Sequence, residues 1–299
     1  MSHAASIASP RRRSVRESPW GQGALRVLYA LLALAALWAL WELYRWIWVS
    51  TGWTRPFPVN DTTMPHMHRI VGALFEPSRI NGPLLISVLV RSALVTAKEA
   101  AVGFTLGAAF GFVLAVVLVH SGLLQRGFMP YIVASQTIPI LAIAPMVVVW
   151  VNPKLPGPFE GWGSVAVIAA YLTFFPVTIN TLRGLQSADP RALELMRSYA
   201  ADRWAVLWKL RVPAAMPFLF TALKIAAPAA VVGAIIGELP SSIQDGLAGA
   251  ILNFNQYYIT SPESLWATNI IAALLGIIFF SVVAIAERLL VRRAPEHVA

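Results

Sequence analysis

The chain contains no cysteine, which excludes disulfides and thiolate metal sites and leaves the redox compartment unread. Charge is scarce too: 12% of the 299 residues are Asp, Glu, Lys or Arg, against about 25% in ordinary soluble domains. There is no Gly-rich phosphate loop, so any nucleotide the protein depends on is held by another chain. His, Asp and Glu do not cluster at metal or acid–base spacing, which argues against an enzyme; no catalytic, cofactor-binding or metal-binding residue is assigned. His66 and His68 are two residues apart, and on the amphipathic surface helix expected over Met64 to Phe75 that spacing points the imidazoles away from each other. Doubled or inverted halves, common in secondary transporters, are not evident.

What the chain has in abundance is apolar sequence. Hydrophobic residues make up 58% of it, and mean hydropathy is +0.66, the profile of an all-α integral membrane protein. Six transmembrane helices are expected: 27–49, 100–119 (with 84–96 continuing as a helix before it), 128–151, 165–182, 218–239 and 265–285. The first is too long for the apolar core of an export signal, so the arginine pair ahead of it reads as a membrane-orienting charge rather than a twin-arginine leader. The organisation that follows is a disordered basic tail over 1–22, a first span and outer segment over 23–83, a transmembrane domain over 84–290 and a short tail over 291–299.

The formal charge of +9 is scattered over ends and loops, which fits orientation in a membrane and not a nucleic-acid face. Arg11, Arg12, Arg13, Arg16, Arg26, Arg288, Arg292 and Arg293 lie in the tails. Arg126, Arg183, Arg191, Arg197, Arg203, Lys209 and Arg211 lie in loops on the same side. Both termini and the loop over 187–217 are therefore expected in the cytoplasm.

Individual residues carry further expectations. Glu42 and Arg45, three apart, can pair. Trp46, Trp48 and Trp53 suit an interfacial belt. Gly103, Gly107 and Gly111 form a small-residue stripe for close helix approach. Pro130, Pro139 and Pro145 interrupt the third span, a break tolerated where protein or a water-filled cavity satisfies the freed groups, and Gln136, Thr137 and Pro139 beside it are candidate pathway residues. Glu238, near the outer end of the fifth span, is another.

The stretch 187–217 is amphipathic and holds most of the mid-chain charge. Asp189 and Pro190 open a helix, Asp202 restarts a second one at Arg203, and Pro213 disfavours its continuation. Leu193, Met196 and Ala200 form an apolar knob, with Glu194, Arg197 and Arg203 as a charged rim, the usual anatomy of a protein interface.

This elbow resembles the EAA loop of binding-protein-dependent ABC importer permeases of the type I fold. Glu194 matches the family's Glu, Leu195 and Met196 replace two alanines, Ala200 replaces the Gly, and Val212 with Pro213 stands for Leu-Pro. The run Ala201, Asp202, Arg203, Trp204 and the later Pro213 to Pro217 look like the family's continuation, and the resemblance extends from Leu84 to Leu289. It implies a permease subunit in a bacterial plasma (inner) membrane. Leu193, Glu194, Met196, Arg197, Ser198, Ala200, Ala201, Asp202, Arg203, Trp204 and Pro213 would then dock on a cytoplasmic ATPase that holds ATP and Mg. A solute-binding protein would dock outside, and two copies, or one copy with a second permease, would form the pathway.

The wording from Glu194 to Ala201 is similar to the branch that imports nitrate, sulfonates, taurine, pyrimidine-type vitamin precursors and riboflavin, with a lean to a heterocyclic nitrogen compound. The competing reading is an ion-coupled secondary transporter. It calls for paired carboxylates or broken helices at membrane depth, whereas the acids in the spans are few, and Glu42, Glu99 and Glu238 lie toward outer ends.

Overall fold

The computed structural model describes residues 19–55, 58–155, 157–241 and 243–291. All regular structure in them is helical apart from one isolated bridge between Pro77 and Leu84. The tail expectations for residues 1–18 and 292–299, including Arg11, Arg12, Arg13, Arg16, Arg292 and Arg293, fall outside the described residues. The chain divides into two units, Met1–Ile70 and Val71–Ala299.

The first unit is built on α1 (Pro19–Thr51), which begins inside the stretch expected to be tail. Its residues Leu28–Thr51 are long and apolar enough to cross a membrane. Beyond it the chain folds back onto the helix end through polar contacts. Trp41 donates to the carbonyl of Pro65 at 3.0 Å. Arg45, 8% exposed, donates to the Met64 carbonyl, to Asp61 and to His66 Nε2. Glu42 accepts from the Met67 N–H at 3.0 Å, where α2 (Met67–Ala73) begins, and from His66 Nδ1 at 2.8 Å. His66 thus stands between the two residues that spacing alone would pair directly. Tyr44 and Trp53 both pack on the ring of Trp48.

The second unit holds α3 (Leu85–His120), α4 (Gly122–Ser135), α5 (Ile140–Val151), α6 (Gly163–Gln186), α7 (Pro190–Ser198), α8 (Arg203–Val206), α9 (Val212–Glu238), α10 (Leu247–Gln256) and α11 (Pro262–Leu290). Among the described residues of the whole chain, five helices are long and apolar enough to span a membrane, or up to six if α4 and α5 are counted together. Those two are bent by 101°, so the proline-rich third segment is a broken pair and not a straight span. The break at 136–139 has one freed carbonyl satisfied by protein: the Tyr171 hydroxyl donates to the Ser135 carbonyl, as membrane-depth breaks require.

α3 is one continuous helix of 36 residues, about 54 Å at 1.5 Å per residue. Hydropathy alone splits it near Lys98 and Glu99. At that point Lys98 leans over the Trp162 ring, 4.3 Å from its centroid, and Glu99 is buried.

α6 is the central helix, flanked by α3 and α9. Lipid offers no hydrophobic drive for helix association, so close packing must supply it, and the glycines permit this. A Cβ at Gly103, Gly107 or Gly111 would come within 2.5–2.7 Å of the carbonyl oxygens of Ala166, Ala170 and Phe174 on α6. On the other side, a Cβ at Gly233 would lie 2.8 Å from Ala169 Cα and one at Gly237 3.0 Å from Val165 Cα. Midway along α9, Lys224 is joined to Glu287 in the last turn of α11, 2.7 Å apart.

Candidate functional site

The elbow between α6 and α9 is bent, and the bend is at Ala200. Its φ is +52°, the left-handed region. The N–H of Ala200 bonds to the Arg197 carbonyl at 2.9 Å and that of Ala201 to the Met196 carbonyl at 3.0 Å. These are the two bonds of a Schellman turn, which closes α7 by satisfying its free carbonyls. Glycine is the usual residue there because it has no Cβ to clash; alanine occupies the position here.

Side chains cap both short helices. Asp189 accepts from the Arg191 N–H at 2.9 Å, with Pro190 at the first helical position, and Asp202 accepts from the Ala205 N–H at 2.9 Å. Pro213 does not end the second helix. α8 runs through a wider π-helical turn, Leu207–Arg211, into α9. The wider turn ends just before Pro213, where the Val212 N–H bonds to the Leu207 carbonyl five residues back, and such a bulge accommodates a residue with no N–H to donate.

The elbow's surface is now defined. Glu194, Arg197, Ser198, Asp202, Arg203 and Pro213 are exposed, while Leu193 and Met196 are half-buried. The exposed large apolar side chains are Leu195, Tyr199, Trp204 and Trp208, at 57%, 77%, 62% and 56%. Leu195 and Tyr199, four apart, share one face of the first helix. They carry a signal that sequence reasoning did not weigh: large apolar groups on a helix whose other face already packs inward. Leu193, Arg197, Ala201, Arg203 and Arg211 border a concavity of about 390 Å³ together with His120 at the end of α3.

The candidate pathway residues occupy two separate places. Gln136 borders a cavity of about 160 Å³ at the α4–α5 break, with Ser135, Tyr171 and Phe175. Thr137 turns its hydroxyl to the Ala134 carbonyl at 2.7 Å, and Pro139 caps α5. Glu238 is 1% exposed yet edges a second cavity of about 230 Å³ with Gln244, Asn253 and Gln256. It also faces Glu99, a residue the sequence did not single out for the site.

In the first unit His66 precedes α2 instead of lying on it, so the rings of His66 and His68 come within 5.2 Å. Ligand atoms of Glu42, His66 and His68 lie within 4.8 Å of one another. The Arg45 guanidinium, 3.1 Å from His66 Nε2, occupies the side from which a metal ion would reach that nitrogen, and like charge opposes one there.

Residues 107–293, which include the elbow, match the sequence profile of the binding-protein-dependent transport system inner membrane component. The chain belongs to this permease family. Its relatives include the formylaminopyrimidine transport permease protein ThiX of Halalkalibacterium halodurans, 34% identical over 191 residues, which are 63% of this chain and 72% of that protein. The riboflavin transport system permease protein RibX of Chloroflexus aurantiacus is 30% identical over 67% of this chain and 70% of its own length. The putative aliphatic sulfonates transport permease protein SsuC of Bacillus subtilis is 27% identical over 66% and 68%. Among solved structures, an amino acid ABC transporter crystallised with histidines superposes with a TM-score of 0.54 at 17% identity, over 69% of this chain and 95% of that one. The fold of this permease is accordingly that of a type I ABC importer. It is a multi-pass membrane protein of a family of transport permeases, and the two cavities and the elbow all lie within its second unit.

Proposed function

We propose that this permease is the membrane subunit of an ATP-driven importer and that the elbow over 187–217 is the element through which a separate cytoplasmic ATPase, holding ATP and Mg, drives it. The observation that carries the reading is the elbow itself. It is a short helical hairpin capped by Asp189 and Asp202, closed by a Schellman turn, and it presents Leu195, Tyr199 and Trp204 within a rim of Glu194, Arg197 and Arg203. Exposed aromatic and aliphatic groups inside a charged rim are what a docking surface needs. Rigid caps let a push at the tip reach α6 and α9 without being absorbed by the turn.

In this reading α4 and α5 count as one span, giving six. Both termini and the elbow face the cytoplasm of a bacterial cell, and the protein sits in the plasma (inner) membrane. Two copies, or one copy and a second permease, line the pathway, with Gln136 and Glu238 near it, and a solute-binding protein delivers cargo from outside. The cargo class is a small nitrogen- or sulfur-containing organic compound or anion. Relatives named for formylaminopyrimidine and riboflavin match at 34% and 30% over 63% and 67% of this chain, whereas those named for sulfonates and nitrate match at 27% and 24% over 66% and 62%, and one named for taurine matches at 31% over only 33%, which supports a nitrogen heterocycle.

Reversing the elbow charges, Glu194→Arg with Arg197→Glu, tests the coupling role. Uptake should stop while the chain remains in the membrane, and uptake at the normal rate would refute it. One observation favours a second reading, ion-coupled transport: Glu99 and Glu238 form the buried carboxyl pair such a transporter would use. Uptake that persists without any ATPase and collapses with the proton gradient would establish that reading instead.

A further inference from the structure

Glu99 on α3 and Glu238 on α9 are 2% and 1% exposed, and the two carboxyl groups act directly on each other. An ionised carboxylate can only accept hydrogen bonds, so two of them buried side by side repel without relief unless one is an acid. The neighbours decide which. Both oxygens of Glu238 have other donors: Thr96 Oγ1 at 2.5 Å to Oε1 and the Ala248 N–H at 2.8 Å to Oε2. The Thr96 hydroxyl accepts the Leu247 N–H at 2.9 Å, and its alternative acceptor, the Ser92 carbonyl, is farther away at 3.2 Å. Glu99 has none of this, and its Oε2 is buried without any hydrogen-bond partner. A charged oxygen left so is far more costly than a neutral one. Glu99 is the acid and Glu238 the carboxylate.

The donors on Glu238 and Thr96 come from one place. Leu247 and Ala248 are the first two residues of α10, whose own N-cap, Gly246, has no side chain to offer. Helix N-termini leave their first amides free, and here α3 and α9 supply the missing cap. A Cβ on Gly246 would fall 2.5 Å from Glu238 Oε1, so only glycine leaves room for the carboxylate.

Few other charges reach this spot. Lys98, exposed and next to Glu99, lies over Trp162 and acts electrostatically on Glu99. Arg91 is two turns earlier on α3 and exposed. α10 has no charged residue, and the one charged residue of α6 is Arg183 in its last turn. Asp245 before α10 is exposed, and Glu263 is in the first turn of α11.

We propose that Glu99 and Glu238 are a proton-binding site: one proton, carried by Glu99 and shared with Glu238, holds the N-terminus of α10 in its seat on α3 and α9. Without that proton two carboxylates face each other and the seat is lost. Because α10 and Glu238 both border the cavity with Gln244, Asn253 and Gln256, the proton also sets the shape of that cavity. The inference rests on this geometry and holds whether ATP or an ion gradient drives transport.

Two measurements on the full-length permease in lipid nanodiscs test it. Infrared spectroscopy at neutral pH should show the C=O stretch of a protonated carboxyl, lost in Glu99→Gln and retained, though shifted, in Glu238→Gln. Absence of the band in the wild type, or its persistence in Glu99→Gln, overturns the assignment. The cysteine-free chain also allows thiol labelling at Leu247→Cys, which is fully buried, referenced to exposed Asn253→Cys. At alkaline pH the ratio of labelling rates should rise about ten- to a hundredfold, the equivalent of one hydrogen bond to a charged group. It should stay flat in Glu99→Gln, whose amide still donates to Glu238. An equal rise in both backgrounds overturns the proposal. If Glu99→Gln does not fold, the wild-type infrared band and the labelling ratio must change over the same pH interval, and separate intervals refute it.

Discussion

Replacing Ala200 by glycine should tighten the elbow. Alanine at φ +52° bears the left-handed penalty of about 1–2 kcal/mol. Glycine removes that penalty and returns about 0.4–1 kcal/mol as extra freedom of the open chain. The difference favours the closed Schellman turn by up to roughly 1.5 kcal/mol, which corresponds to about tenfold in the opening equilibrium. The reporter is the Ala201 amide, whose bond to the Met196 carbonyl exists only when the turn is closed. Hydrogen–deuterium exchange of the peptide spanning the turn should slow by up to about tenfold in Ala200→Gly. Ala200→Val should have the opposite effect, because a β-branched side chain tolerates positive φ least, and exchange should accelerate beyond wild type. Faster exchange with glycine, or no change with valine, would refute the turn assigned to residue 200.

Other perturbations follow from the same structure. Gly107→Leu should separate α3 from α6, since even a Cβ there lies 2.5 Å from the Ala170 carbonyl; a loss of about 1–3 kcal/mol should appear as a lower unfolding midpoint in detergent, and an unchanged midpoint counts against that packing. Asp202→Ala removes the cap on the Ala205 N–H at a cost of about 0.5–2 kcal/mol, and amide exchange at the start of α8 should rise while α11 is unaffected. In the first unit, the hydrogen bond from Arg45 holds the Asp61 carboxyl below its ordinary range. A depressed acid stabilises the fold above its unfolded pKa and loses that contribution as pH falls through the folded one, so residues 58–66 should loosen only on acidification below about pH 4. Asp61→Asn should abolish that acid-dependent step, and protease protection of the segment as a function of pH reports it.

The parts of the fold legible in the sequence were those written by neighbouring residues. Asp189 with Pro190, and Asp202 before Arg203, are local capping signals, and both appear as caps. Gly103, Gly107 and Gly111 announced a close approach at helical spacing, and α6 takes it up. Pro139 marked the break in the third segment, whereas Pro130 and Pro145 lie inside α4 and α5; neither the 101° angle nor the Tyr171 hydroxyl that reaches the Ser135 carbonyl from another helix has a local sign. Ala200 was visible as the odd residue at a glycine position; that it still adopts the left-handed turn comes from the two bonds around it. Glu99 was least legible. Beside Lys98 it looked like the end of an apolar run, and only the folding of α9 and α10 onto α3 turns it into a buried partner for Glu238. Long-range pairings of this kind leave no local pattern.

In the proposed mechanism this permease moves its solute only when an ATPase acts on the elbow. The direct measurement is solute uptake into proteoliposomes that hold the permease with its ATPase subunit, with ATP inside and the binding protein outside. Wild type should accumulate solute with ATP and be indifferent to an uncoupler, and the Glu194→Arg, Arg197→Glu double variant should remain in the membrane and accumulate none. Uptake that needs no ATPase and disappears with the proton gradient would contradict the account.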